Sequence, residues 1–170
     1  MGEIELHRGE RVQNVEVTET VSEPTPLIPL SRTSHKLENP ALDIRGFLML
    51  GSDGKPVGRV EELLLEADPR TVDRGQPLFH VEYAAVRFTD NAGLRQWILV
   101  PMAVIKEIRH NDRIVIVRDP AQIACSQAYG FRAPDELALE DEQEIYAFWE
   151  IEPRWARAGR GPRPLFQERR

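Results

Sequence analysis

The stretch DIRGFLMLGSDGKPVGRVEELLLE, residues 43–66, decides the fold. Two apolar runs, FLML and VGRVEELLLE, flank the short polar segment SDGK. Asp-Gly between apolar runs is a strong hairpin signal, because the turn needs positive φ angles that glycine adopts without strain. The stretch therefore predicts two antiparallel strands joined at Asp53 and Gly54.

Further β segments follow this hairpin along the chain. LFHVEYAAVRF alternates through Phe79, Val81 and Tyr83 and changes phase near Ala84 and Ala85, as a bulged strand would. TDNAG then turns the chain into RQWILVP, and AVIKEI, RHNDR and IVIV come next. Short segments bounded by Gly, Asn or Asp predict a mainly β domain, a small antiparallel barrel that leaves few bare edges, over residues 41–120.

The first forty residues differ in composition from the β segments, since EPTPLIPLSRTSHKLENP contains four prolines. Proline is confined to sheet edges and irregular segments, so residues 1–40 are expected to form an extended arm with short strands at VEV and PLIPL. On composition alone, an arm that docks on another surface and a disordered segment are equally open readings.

After Asp119 and Pro120 the β pattern stops, and residues 121–153 are expected to form a loop and a short C-terminal α-helix. Ile145, Phe148 and Trp149 fall at i, i+3 and i+4, which predicts one apolar helix face. Acidic residues crowd the first turns, where the helix dipole favours negative charge. Residues 154–170, rich in Arg, Gly and Pro, read as a basic tail.

Length and charge restrict the functional classes. A chain of 170 residues is long enough for one domain with a core. The single Cys125 forms no internal disulfide, which favours a reducing cytoplasmic compartment, and no run approaches the roughly 20 apolar residues of a membrane span. Residues 41–153 carry an excess of eight negative charges and residues 154–170 an excess of five positive charges. An acidic body argues against broad contact with nucleic acid.

The sequence contains few residues arranged for catalysis. It lacks a phosphate-binding glycine loop, an HExxH motif and a nucleophile elbow, and its four histidines show no metal-ligand spacing. We therefore expect no enzyme activity and no metal site. The acid pairs Glu61-Glu62 and Glu66/Asp68 are, on residue type alone, more typical of solvated edges than of proton-handling groups.

Residues 43–66, together with WILVPMAVIKEIRHNDRIVIV at 97–117, resemble a PRC-barrel domain. The resemblance lies in the Arg-Gly opening strand, the Asp-Gly hairpin, the Gly-x-Val-x-x-Leu second strand and the strand that ends on Val-Pro-Met. Such domains occur in ribosome maturation factors, in stand-alone adaptors, and in the cytoplasmic part of the H subunit of purple-bacterial photosynthetic reaction centres.

The flanking segments resemble the H subunit in particular. PLIPLSRT and HKLENPALDIRG are similar to its proline-rich arm, and DELALEDEQEIYAFWEIEPRW, residues 135–155, is similar to its acidic ending. The resemblance covers roughly residues 26–155. An H subunit usually begins with a transmembrane helix that has no counterpart here, so the resemblance implies its cytoplasmic part, held by contacts alone or by a separate transmembrane anchor chain.

This resemblance implies a non-catalytic subunit on the cytoplasmic face of the photosynthetic membrane. It would cap the L and M subunits near the quinones and assist electron and proton transfer to the secondary quinone. Bacteriochlorophyll and quinone are expected in the partner subunits, with no cofactor bound directly, and antenna polypeptides are further candidate partners. The alternative is a stand-alone PRC-barrel adaptor of ribosome maturation or RNA processing.

The resemblance also suggests site residues. The expected proton-relay candidates are Glu66 and Asp68 at the end of the second barrel strand, followed by Glu82 and His35. The aromatic residues of the helix are expected either in the core or at a partner surface, and the basic tail is expected to meet anionic lipid headgroups or a neighbouring subunit sooner than RNA. The full set of interface candidates is Arg45, Met102, Tyr146, Trp149, Trp155, Arg157 and Arg160.

Overall fold

A computed structural model describes residues 26–33, 37, 39–73, 76–126 and 137–156 of the chain. These residues are mainly β, with two α-helices and three short 3-10 turns at Leu30–Arg32, Pro40–Leu42 and Met102–Val104. The helices and strands are β1 Leu27–Pro29, β2 Leu48–Leu50, β3 Pro56–Asp73, β4 Gln76–Thr89, β5 Arg95–Pro101, β6 Ile105–Arg109, β7 Ile114–Val117, α1 Ala121–Ser126 and α2 Leu139–Trp149.

The seven strands form one mixed sheet. Its order is β5-β4-β3-β2-β7-β6, with β1 paired to β3 beyond the end of β2. All pairs are antiparallel except β2 and β7, which are parallel, so the prediction of a wholly antiparallel sheet is wrong at this pair. The turn Met102–Val104 carries the chain away from β5, and the β6–β7 hairpin returns it along the free edge of β2. No ladder between β5 and β6 is found in residues 95–117, so closure into a barrel is not shown.

The predicted Asp-Gly hairpin is confirmed. β2 and β3 pair antiparallel across it, and Gly54 has a φ of 77°. The predicted TDNAG turn is also found, where the Asp90 carboxylate accepts hydrogen bonds from the amides of Ala92 and Leu94, each at 2.9 Å. The first turn forms because Gly54 adopts a positive φ angle without strain, and the second forms because the Asp90 carboxylate accepts hydrogen bonds from backbone amides of the turn.

β4 contains a bulge, as its change of phase predicts. Val81 pairs with Leu65 and Tyr83 with Leu64, which leaves Glu82 as the extra residue, two positions before the predicted Ala84. The bulge lets residues on both sides of the strand be buried, and Val81, Glu82 and Tyr83 are all nearly inaccessible. β4 is therefore a central strand that is covered on both faces.

The described part of the N-terminal arm docks on the sheet. β1 pairs antiparallel with Leu64–Glu66 of β3, and the backbone and hydroxyl of Ser31 both donate to the Glu62 carboxylate. The strand predicted at PLIPL is confirmed, whereas the one predicted at VEV lies outside the described residues. Of the two alternatives left open by composition, a docked arm and a disordered segment, residues 26–33 form a docked arm.

The predicted C-terminal helix is confirmed as α2, but its buried face differs from the prediction. Ile145, Tyr146 and Trp149 are buried, whereas Phe148 is 36% exposed. The face is shifted because Glu142, on the same stripe, is also drawn into the interior. α2 ends when Glu150 adopts a left-handed conformation with a φ of 52° and Ile151 donates to the Tyr146 carbonyl at 3.1 Å.

Replacing Glu150 by glycine is expected to raise the free energy of unfolding by about 1 kcal/mol, because glycine accepts the left-handed conformation without the Cβ clash. Urea denaturation measures the change. Glu144→Gly is the matched control in the exposed interior of the same helix, where glycine is expected to cost about 1 kcal/mol. Destabilisation by both substitutions would contradict the assigned role of the Glu150 backbone.

Among the residues that the structure describes, no helix is both long enough and apolar enough to cross a bilayer.

Candidate functional site

Three charged side chains are buried in the described part of the chain. Glu82, Glu142 and Arg154 have exposed fractions of only 3%, 4% and 4%. Burial of a charge is costly unless hydrogen bonds and an opposite charge compensate for the lost water. These residues therefore mark a buried polar site within the apolar core. The site lies between β3, β4, α2 and the segment after α2.

Arg154 joins three separate segments of the chain. Its Nε and Nη2 atoms donate to the two carboxylate oxygens of Glu142 on α2, each at 3.0 Å. Its Nη1 atom donates to Oε1 of Glu66 on β3 at 2.7 Å. The planar guanidinium suits this double role, because its fork binds one carboxylate in a bidentate manner and still presents a donor to a second.

Aromatic residues enclose this ion pair. The Tyr83 hydroxyl donates to Oε1 of Glu142 at 2.8 Å, so both Tyr83 and Arg154 bind the same carboxylate. The ring of Tyr146 lies 5.9 Å from that of Tyr83 and meets the ring of Trp155 edge-on at 5.4 Å. We call the group formed by Glu66, Tyr83, Glu142, Tyr146 and Arg154 the Arg154 cluster.

The pKa values of two proton donors in the Arg154 cluster, Arg154 and Tyr83, are raised. Burial by itself lowers the pKa of Arg154, but the hydrogen bonds and negative charges of Glu142 and Glu66 outweigh it and raise the pKa above its ordinary value. Burial also raises the pKa of Tyr83 well above its ordinary value, and Tyr146 and Glu142 beside it act in the same direction. The cluster therefore keeps a charged arginine and a neutral tyrosine at neutral pH.

The raised pKa of Tyr83 predicts a loss of stability at alkaline pH. In the unfolded chain its hydroxyl ionises near pH 10, whereas in the folded chain it stays protonated to higher pH. The stabilisation from this difference in pKa is complete below about pH 10 and falls as the pH rises above that value. Urea denaturation across this range is expected to show the decline, and Tyr83→Phe is expected to make it shallower.

Absorbance of tyrosinate gives the spectroscopic control for this prediction. The chain has three tyrosines, all of which are expected to titrate near pH 10 in denaturant. In the folded wild-type chain, the absorbance change near pH 10 is expected to be no larger than in the Tyr83→Phe variant. A larger change in the wild-type chain would show that Tyr83 ionises normally and would contradict the prediction.

The structure brings two of the sequence-predicted relay residues to neighbouring strands. Glu66 belongs to the Arg154 cluster, and Glu82 forms the bulge of β4 beside Tyr83. Asp68 lies two residues further along β3, where its backbone pairs with Leu78, and its side chain is outside the described part. His35 also lies outside the described residues. The geometry does not test proton transfer, so the relay stays a prediction.

The interface candidates divide by exposure. Met102, Tyr146 and Trp149 are buried, so within this chain they are core residues that lie under the surface. Trp155 is half-buried and packs against Tyr146. Arg45 lies at the surface in a bidentate ion pair with Asp43, with Nη2 and Oδ2 at 2.7 Å. Arg157 and Arg160 lie outside the described residues. Core contacts extend past residue 153, where the basic tail was expected to begin.

Sequence reasoning missed three members of the cluster. Arg154 reads as the first residue of a basic tail, and Glu142 reads as one more acid in the first turn of a helix. One signal was available: Glu142 lies three residues before Ile145, on the stripe that the apolar residues occupy. A carboxylate on that stripe needs a cationic partner, and Arg154 is the first arginine after the helix.

Other ligand sites are poorly supported. Within the described ranges, no three His, Cys, Asp or Glu side chains come together in a way that could hold a metal ion. A shallow groove of about 440 Å³ is lined by Val57, Phe88, Asn91, Cys125 and neighbouring residues. Burial raises the pKa of the Cys125 thiol, which makes it a weak nucleophile at neutral pH.

No model of a known protein family matches the chain, and a search of curated proteins finds no match either. Function is therefore inferred from the sequence motifs and from the geometry of the Arg154 cluster.

Proposed function

We propose that the chain is an H-type subunit of a bacterial photosynthetic reaction centre. It binds the cytoplasmic face of the L and M subunits, covers the quinone region and catalyses no reaction itself. One observation carries the proposal: both flanks that give the H-like resemblance attach to the same part of β3. β1 pairs with Leu64–Glu66, and Arg154 binds Glu66.

This convergence supports an H-type subunit over a bare PRC-barrel adaptor. An adaptor needs only the sheet to bind a partner, and its flanks can act as linkers. Here the acidic helix is fixed by a buried bidentate ion pair, and the arm is fixed by a β ladder. The arm and the acidic helix are therefore integral parts of the domain, as expected if they form the surface that binds its partners.

The proposed role follows from excluding water and arranging carboxylates. A protein cap over the quinones lowers the local dielectric and so strengthens the electrostatic interactions of the reduced quinone. Protons then need an alternative path, which carboxylates and ordered water can supply. Glu66 suits such a path, because its side chain is 18% exposed while it contacts the buried guanidinium of Arg154.

The proposed partners follow from the same reading. Bacteriochlorophyll and quinone belong to the L and M subunits, and the H-type chain reaches them only through protein contacts. Arg157, Arg160 and the other arginines of residues 157–170 give the C-terminal segment a positive charge that suits anionic lipid headgroups. The chain would thus be a peripheral protein at the cytoplasmic face of the photosynthetic membrane.

Affinity purification of the tagged full-length chain tests the proposal. The expected result is recovery from the membrane fraction together with L, M and the absorption bands of bacteriochlorophyll. A tagged chain with Arg154→Ala serves as a control, because loss of the docked helix is expected to reduce recovery of pigment. Copurification with ribosomes and without pigment would contradict the proposal and favour the adaptor of ribosome maturation or RNA processing.

A further inference from the structure

Three arginines lie around Gly46, two residues before β2 begins. Arg59 on β3 donates from Nη1 to the Gly46 carbonyl at 2.6 Å. Nη2 of Arg113 lies only 2.9 Å from the position that a Cβ atom on Gly46 would occupy, and Gly46 has a φ of 83°. Any other residue at position 46 would strain the backbone and displace Arg113. We call Arg45, Arg59 and Arg113 the Gly46 arginine patch.

Within the described ranges, two arginines of this patch lack a carboxylate partner. Arg45 is neutralised by Asp43, but no described carboxylate lies within ion-pair distance of Arg59 or Arg113. The guanidinium of Arg113 lies over the ring of Phe47, at 5.2 Å from its centroid, and that of Arg59 is held by a backbone carbonyl. Both cations are thus held by neutral groups, which leaves their positive charge available to a ligand.

A further arginine lies beside the patch on the next strand. Arg59 is the cross-strand neighbour of Arg87, which in turn is the neighbour of Trp97. The guanidinium of Arg87 stacks 3.9 Å above the Trp97 ring and lies 3.4 Å from the Glu61 carboxylate. Like charges directly opposite each other on adjacent strands are destabilising. Glu61 compensates the charge of Arg87, so Arg59 is the member of this cross-strand pair that retains its positive charge, on a chain whose net charge is −6.

We propose that the Gly46 arginine patch binds an acidic peptide segment of a protein partner, with Arg59 and Arg113 pairing to its carboxylates. Guanidinium groups fixed by a carbonyl and an aromatic ring present their forks in the geometry that carboxylates accept. A short segment meets only the patch, whereas a membrane or a nucleic acid would also meet the acidic remainder of the chain. This proposal is independent of the function proposed above, because Arg59 and Arg113 are not among the residues on which that function rests.

Binding of a labelled peptide tests the proposal. The probe is a synthetic peptide of alternating Glu and Ser, and the same peptide with Gln for Glu is its control. Fluorescence anisotropy is measured with the full-length chain at physiological salt. The double variant R59E/R113E is expected to weaken binding of the Glu peptide about tenfold or more, because attraction becomes repulsion. K55E/R95E reverses two exposed cations outside the patch and is expected to leave binding within about twofold.

Circular dichroism and thermal unfolding establish whether each variant is folded, and R59Q/R113Q replaces the charge-reversed variant if that one is not. An equal loss of binding in K55E/R95E would overturn the proposal, since general charge would then explain the affinity. The absence of measurable binding to the wild-type chain, or equal binding of the Gln peptide, would overturn it too. Vesicles rich in phosphatidylglycerol that bind through Arg59 and Arg113, when the Glu peptide does not, would assign the patch to lipid instead.

Discussion

Arg154→Ala is expected to lower the free energy of unfolding by about 3–5 kcal/mol, because it leaves the buried Glu142 carboxylate without its cation. Arg154 makes both strong hydrogen bonds to Glu142 and also binds Glu66, while its own exposed fraction is 4%. Tyr83 already donates its only hydroxyl proton to Glu142, so it replaces neither of the lost hydrogen bonds. Urea denaturation at neutral pH, followed by tryptophan fluorescence, measures the loss.

Two further variants separate the buried charge from general effects of arginine removal. Arg109→Ala breaks an exposed ion pair with Glu107, so the free energy of unfolding is expected to stay nearly unchanged. The double variant R154M/E142L removes both buried charges and is expected to recover much of the stability lost in Arg154→Ala. If Arg154→Ala is no less stable than Arg109→Ala, the buried pair does not hold the C-terminal segment on the sheet.

The double amide variant E66Q/D68N is expected to slow proton uptake coupled to reduction of the secondary quinone by about tenfold or more. Amides of nearly the same shape cannot accept and release a proton, so a relay through these positions would stop. Flash-induced proton uptake by the assembled reaction centre gives the rate. This result depends on the proposed function, which the pigment-linked purification tests separately.

A matched control removes two carboxylates elsewhere on the sheet. Glu61 and Glu107 both form surface ion pairs, and E61Q/E107Q is expected to leave proton uptake unchanged. The amide at position 66 can still accept the hydrogen bond from Arg154, so the fold should persist, and thermal unfolding confirms this before kinetics are compared. Normal proton uptake in folded E66Q/D68N would remove Glu66 and Asp68 from the proposed path.

Local features of the fold could be predicted from the sequence because their causes are local. The Asp53-Gly54 turn follows from two adjacent residues, and the bulge of β4 follows from a change of phase within one strand. The parallel pairing of β2 with β7 could not be predicted in this way. It joins Leu48 to Ile114, and it depends on how the β6–β7 hairpin folds back across the sheet.

The Arg154 cluster shows the same distinction at the candidate site. The existence of α2 follows from its apolar spacing, yet its true inner face depends on Glu142, whose burial requires Arg154 twelve residues later. Glu66 lies 88 residues before Arg154 in sequence, and no local pattern relates them. Sequence alone singled out Glu66 through the family resemblance, and its actual partner emerged only from the tertiary structure.

The attachment of β1 and Arg154 to one stretch of β3 has a consequence for synthesis of the chain on the ribosome. β3 and β4 are made early, but the outer face of β4 around Tyr83 stays uncovered until α2 has followed and Arg154 has left the exit tunnel. During that interval the nascent sheet exposes the apolar surface that α2 later covers. Completion of the domain is therefore a late step that depends on a single arginine.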